Sequence, residues 1–161
     1  MTPRRLAIYL NDHLAGATLG VELVRRAARE NAANELGEFL RSLSAEIAED
    51  RATLVGLMER MGIPLSIPKI AAGWAAEKLG RLKPNGQLAG YSPLSRLLEL
   101  EGLAAGIEAK RGLWLTLAEI REQHEPLRTL DCNALAERAG SQRERVESHI
   151  GAAAAEAFAG D

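Results

Sequence analysis

A chain of 161 residues with 47 % apolar and 4 % aromatic side chains is long enough to bury a core as one globular domain. Its 20 Lys and Arg against 22 Asp and Glu leave a net charge of −2, which argues against a domain that grips nucleic acid by neutralising phosphates. Ala (28) and Leu (25) outnumber the 17 Val, Ile and Thr together, so the β-branched residues that pack sheets are scarce and an all-α fold is predicted.

Thr2 followed by Pro3 reads as an N-cap with proline at the first helical position. The stripe Leu6, Leu10, Leu14, Ala17, Val21, Val24 and Ala28 then predicts a helix over about 3–31. A short polar break from Asn31 to Asn34 precedes the next stripe, Leu36 to Met61, and a helix over about 34–62 that ends at Gly62 with Pro64 beyond. So tight a joint makes the two helices antiparallel neighbours. From Ile63 to Tyr91, Pro64, Pro68, Pro84, Gly86 and Gly90 punctuate a long connection holding one short helix, about 68–82. Ser92 and Pro93 repeat the cap-plus-proline signature and open a Leu-rich helix over about 92–123, stopped before Pro126. A last helix, about 130–158, carries Cys132, Leu135, Ala139, Val146, Ile150 and Ala153 on one face.

No segment approaches the ~20 uninterrupted apolar residues that span a bilayer, and Asn11, Asp12, His13 and Glu22 interrupt residues 1–30, so no continuous apolar core of a signal peptide is expected there. A single cysteine, Cys132, forms no intramolecular disulfide and reads as a small buried residue. A cytoplasmic protein is expected, without nucleic-acid or membrane partners.

Two antiparallel hairpins of helices about 45 Å long, joined by a link that runs back along them, make the second and third helices parallel. One long crossover of this kind is the ferritin-like topology. The order of segments, with YLNDHLAGATLGVELVRRAARE in the first helix, AEIAEDRATLVGLMERMG in the second, YSPLSRLLELEGLAAGIEAKRGLW in the third and SQRERVESHIGAAAAEAF in the fourth, resembles the small ferritin-like four-helix-bundle proteins of bacteria over nearly the whole chain, 1–161. That resemblance implies a carboxylate-bridged di-metal centre built on Glu-x-x-His pairs, because positions i and i+3 share a helix face. The sequence contains no Glu-x-x-His.

Six ionisable residues nevertheless fall beside the apolar stripes at mid-bundle depth: His13, Glu46, Asp50, Glu101, Glu108 and His149. Comparing depths along parallel second and third helices places His13 and Glu108 near Asp50, and His149 near Glu46. The set predicts either half-buried ion pairs, with Arg51, Lys110, Arg111 and Arg145 as counter-charges, or a divergent iron- or manganese-binding site. Asp50 lies where the seam Leu43, Ile47, Leu54, Leu57 expects an apolar residue, whereas Glu22 lies on the solvent face with Arg25. Under the ion-pair reading, Asp50→Leu is expected to be neutral or stabilising. Gly102, Gly106 and Gly112 predict close helix approach in the third helix. Arg25, Arg26 and Arg29 read as solvated charge at a helix end.

The leading functional expectation is a non-catalytic scaffold that binds a small ligand or a partner, with no standard di-iron centre, no assigned catalytic residue and no cofactor. The alternative is an iron-handling or peroxide-responsive redox protein using the six residues above. A third reading, a subunit of a homo-oligomer, rests on exposure of Ile63, Leu65, Ile67, Ile70 and Trp74.

Overall fold

The computed structural model describes residues 3–66 and 90–159. Four long helices are packed against one another: α1 (Arg4–Glu30), α2 (Glu35–Arg60), α3 (Pro93–Glu119) and α4 (Cys132–Ala157). No strand occurs among the described residues, in keeping with the shortage of β-branched side chains. The expected short helix at 68–82, with Ile67, Ile70 and Trp74, lies outside the described residues.

Local chemistry sets the helix ends. Thr2 also lies outside the described residues, and Pro3 occupies the cap position one residue ahead of the place expected for it, with φ −59° and ψ 135°. Ser92 behaves as predicted: its hydroxyl accepts from the Ser95 amide at 3.1 Å, with Pro93 at the first helical position. Asn34 caps α2 by accepting from Gly37 N at 3.0 Å. At the other end of α2, Gly62 adopts φ 67° and donates to the Glu59 carbonyl, while the Ile63 amide donates to that of Met58 and the Ile63 side chain is buried. This is the Schellman arrangement, which needs a residue without Cβ at the left-handed position. Gly62→Ala is therefore expected to cost about 1–2 kcal/mol, read by urea denaturation. The third helix stops earlier than its Leu-rich pattern suggests, at Glu119. A 3₁₀ turn (Arg121–Gln123) and a one-turn helix (Glu125–Arg128) follow, whose Leu127 plugs the base of the core.

Ser66 and Gly90, which bound the two described segments, lie at opposite ends of the bundle. Asn11, near the start of α1, donates to the Pro64 carbonyl and accepts from the Ser66 amide. Asn31, at the far end of α1, donates to Tyr91 Oη at 3.0 Å and accepts from Arg96 Nε at 2.8 Å. Thus α2 ends where α1 begins, α3 begins where α1 ends, and α2 and α3 run parallel. The α1–α2 and α3–α4 hairpins are the closest-packed pairs, α1 facing α3 and α2 facing α4.

Around Asn31 lies a buried polar knot absent from the sequence expectations. Tyr91 Oη donates to Glu99 Oε2 at 2.8 Å, and Arg26 Nε stands 3.1 Å from Glu99 Oε1. Glu99 is fully buried; burial pushes its carboxyl pKa up, opposed by the bond from Tyr91 and by Arg26. Arg26 is thus not merely solvated charge at a helix end: it neutralises a core carboxylate.

The apolar core is divided in two. One half gathers Val24, Leu40, Leu43, Leu100, Leu103 and Val146. The other gathers Leu10, Leu14, Leu57, Trp114, Leu117 and Leu127. Between them the seams of two helices turn polar, Asp50 between Ile47 and Leu54 on α2 and Lys110 between Ile107 and Leu113 on α3; Gln142 of α4, between Ala139 and Val146 of the first half, reaches the same depth to bond both.

Candidate functional site

The polar waist is a closed network centred on Asp50. Lys110 Nζ donates to Asp50 Oδ2 and to Gln142 Oε1, both at 2.5 Å, and Gln142 Nε2 donates to Asp50 Oδ2 at 3.0 Å. Arg138 Nε approaches Asp50 Oδ1 at 3.2 Å while its Nη2 holds Glu49 at 2.8 Å. Gln142 also donates to Glu46 Oε2 at 3.1 Å, and Arg145 grips both oxygens of Glu46 in a fork at 3.0 and 2.6 Å. Asp50 and Gln142 are almost completely buried, and both oxygens of Asp50 have partners, as a buried carboxylate requires.

Electrostatics follow from the contacts. Burial lowers the Lys110 pKa from the ordinary lysine value, and the Asp50 carboxylate opposes that shift. The Arg145 fork holds the Glu46 carboxyl below the usual carboxylate range; burial works against this and the Gln142 bond adds to it. A carboxyl depressed in the folded state contributes stability that is complete above the ordinary carboxylate range and is lost as pH falls through its depressed pKa. Glu46→Gln should therefore flatten that part of the acid limb of melting temperature against pH, leaving the neutral region nearly level.

The six residues singled out from the sequence do not gather around one point. Glu46 and Asp50 are neighbours in the network, and both are held by cations and by Gln142. Glu108 turns toward α4, binding Arg143 at 2.6 Å and Arg111 at 3.1 Å. His149 lies against the Phe39 ring, 4.6 Å between centroids and two turns along α2 from the expected Glu46. Glu101 is exposed. His13 packs edge-on to Tyr9 at 4.6 Å, and burial lowers its pKa, with Asp12 opposing the shift. Among the described residues no three His, Cys, Asp or Glu side chains are grouped so as to hold a metal ion. The donor set is also wrong for a di-metal centre, since the two central carboxylates are already neutralised by Lys110, Arg138 and Arg145. Of the predicted counter-charges, Lys110, Arg111 and Arg145 do pair with acids of the set, whereas Arg51 Nε donates to Thr18 Oγ1 at 3.0 Å.

Beside the network, on its α1 side, opens an apolar cleft of about 650 Å³ between α1, α2 and α3. The small residues Gly16, Ala17 and Gly20 of α1 face Gly102, Ala105 and Gly106 of α3 across it. The glycines expected to mark close helix approach do not bring another backbone near: Gly102 and Gly106 line the cleft, and Gly112 is exposed outside it. A Cβ built at Gly106 or Gly112 meets nothing within 4 Å among the described residues, and one at Gly102 meets only the Leu23 side chain, at 3.4 Å. Missing side-chain volume on both helices thus leaves a void where a bundle ordinarily interdigitates. Asp50, Lys110, Arg51 and His13 supply the few polar groups of its lining. Trp114, buried and also in the lining, keeps an indole N–H with no hydrogen-bond partner among the described residues.

Cys132 is free and buried, and burial raises its thiol pKa, so it is no reactive nucleophile. No helix of the described residues is long and apolar enough to cross a membrane. No family model, no curated protein and no solved structure matches the chain.

Proposed function

We propose that this chain is a non-catalytic, ferritin-like helical-bundle protein that binds a small, largely apolar molecule in the cleft between α1, α2 and α3. The observation that carries the reading is the cleft itself, with nearly continuous apolar walls and a few polar groups at one end, the usual form of a small-molecule site. The directions of the helices support the ferritin-like topology, because antiparallel hairpins with parallel α2 and α3 require one long crossover. In this reading the Asp50–Lys110–Gln142 network is structural: it fixes the relative position of α2, α3 and α4 and so holds one wall of the cleft rigid.

Titration with the neutral fluorophore N-phenylnaphthylamine tests the proposal. One dye should bind per chain with enhanced emission and a raised melting temperature, since a ligand of the native state stabilises it. Gly106→Phe, which grows into open space from the cleft wall, should weaken binding at least about tenfold. Gly112→Ala, outside the lining, should bind as the parent does. Absence of saturable binding, or a Gly106→Phe variant that binds normally, overturns the reading.

A further inference from the structure

The cleft has two chemically different ends. Its lining follows α3 from Leu98 to Trp114, about 24 Å at 1.5 Å per residue. At the end toward the α1–α2 turn the walls are Leu19, Leu23, Leu98, Gly102 and Leu103. Every polar or polar-tipped lining group, His13, Asp50, Arg51, Lys110 and Trp114, lies toward the other end.

The charges at that end do not cancel. Asp50 is matched by Lys110 and again by Arg138, and Lys110 gives a second donor to Gln142. Arg51 is different: Thr18 Oγ1 accepts from its Nε at 3.0 Å while the same hydroxyl donates to the Leu14 carbonyl. No carboxylate among the described residues pairs with the Arg51 guanidinium. Thr18 therefore anchors Arg51 by one nitrogen, and the two terminal nitrogens have no acceptor among the described residues. The Trp114 N–H lacks one too. An elongated apolar cleft whose polar end offers an unopposed guanidinium is complementary to a chain with an anionic head.

Resting on the small-molecule reading above, we infer that the ligand is a single-chain amphiphilic carboxylate of the fatty-acid class, its head group at Arg51 and its alkyl chain running along α3 toward Leu98. A neutral alcohol of equal length would fill the same apolar walls but leave Arg51 without its counter-charge.

Calorimetric titration of the full chain with laurate and, separately, with dodecanol tests this. Laurate should bind one per chain, displace N-phenylnaphthylamine, and bind at least about tenfold more tightly than dodecanol, the ratio that one charge-assisted hydrogen-bonded contact supplies. Arg51→Gln should bring the two affinities within about twofold, and Arg51→Lys should restore part of the preference. Equal affinities in the parent chain overturn the carboxylate assignment while leaving the cleft as an apolar site. Tighter binding of dodecylamine than of laurate overturns it as well. Failure of all three together with the dye overturns the small-molecule reading itself, and a dimer in sedimentation would then assign the cleft to a second copy of the chain.

Discussion

Replacing Asp50 by alanine is expected to lower the unfolding free energy by about 3–5 kcal/mol, the usual cost of stranding a buried charge. The side chain is 4 % exposed, and its loss leaves Lys110, itself 14 % exposed, with Gln142 Oε1 as its remaining acceptor in the network. Arg138 suffers less, because it retains Glu49 in a more exposed position. The structure therefore changes the expectation for Asp50→Leu. A simple buried pair could be exchanged for apolar packing without loss, but here leucine fills the volume and still strands the ammonium. We expect a loss of several kcal/mol in that variant too, and recovery of most of it in the double variant Asp50→Leu with Lys110→Met. Urea denaturation of the parent, Asp50→Leu, Lys110→Met alone and the double variant forms a double-mutant cycle. Additive losses would show that Asp50 and Lys110 are not energetically coupled.

Gly37→Ala should behave opposite to the rule for helices. Exchanging glycine for alanine inside a helix normally gains up to about 1 kcal/mol. At Gly37, in the first turn of α2, a Cβ would lie 1.9 Å from the Asn31 carbonyl oxygen and 3.0 Å from Ala32 Cα. Both are backbone atoms of the α1–α2 turn and cannot rotate away. The turn is further pinned by the Asn31 amide, which joins it to Tyr91, Arg96 and the Ala27 carbonyl. We expect a cost of about 3 kcal/mol, at the upper end of overpacking effects, seen as a fall in melting temperature of about 6–12 °C for a chain this size. An unchanged or higher melting temperature would mean that the turn does not approach α2 as described.

The four long helices were legible in the sequence because each has a 3.6-residue apolar stripe, interrupted at most at one or two positions, bounded by caps, prolines or glycine. Asp50 was legible for the same reason: a carboxylate in the middle of an apolar seam has no solvent-facing alternative. Its companions were harder to see. Gln142 carries no charge and interrupts the α4 stripe between Ala139 and Val146, where only the phase of the seam could have flagged it. Glu99 was passed over in favour of Glu101, because α3 is flanked by α1 and α4 and buries a wider arc than one stripe marks. His149 was misplaced because depth inferred from turn positions accumulates error across two hairpins and one crossover, and here amounts to about two helical turns. The cleft escaped notice because glycine spacing has two physical outcomes, close approach or a void, and only the position of the facing helix decides between them. Gly16 and Gly20 on α1, opposite Gly102 and Gly106 on α3, produce the void.

Intermolecular nuclear Overhauser effects between N-phenylnaphthylamine and the methyl groups of the isotope-labelled chain would locate a bound molecule without reference to affinity. Cross-peaks to Leu19, Leu23, Leu98 and Leu103, with none to Val146 on α4, are the expected outcome. Cross-peaks to Val146, or to methyls outside the α1–α2–α3 cleft alone, would contradict it.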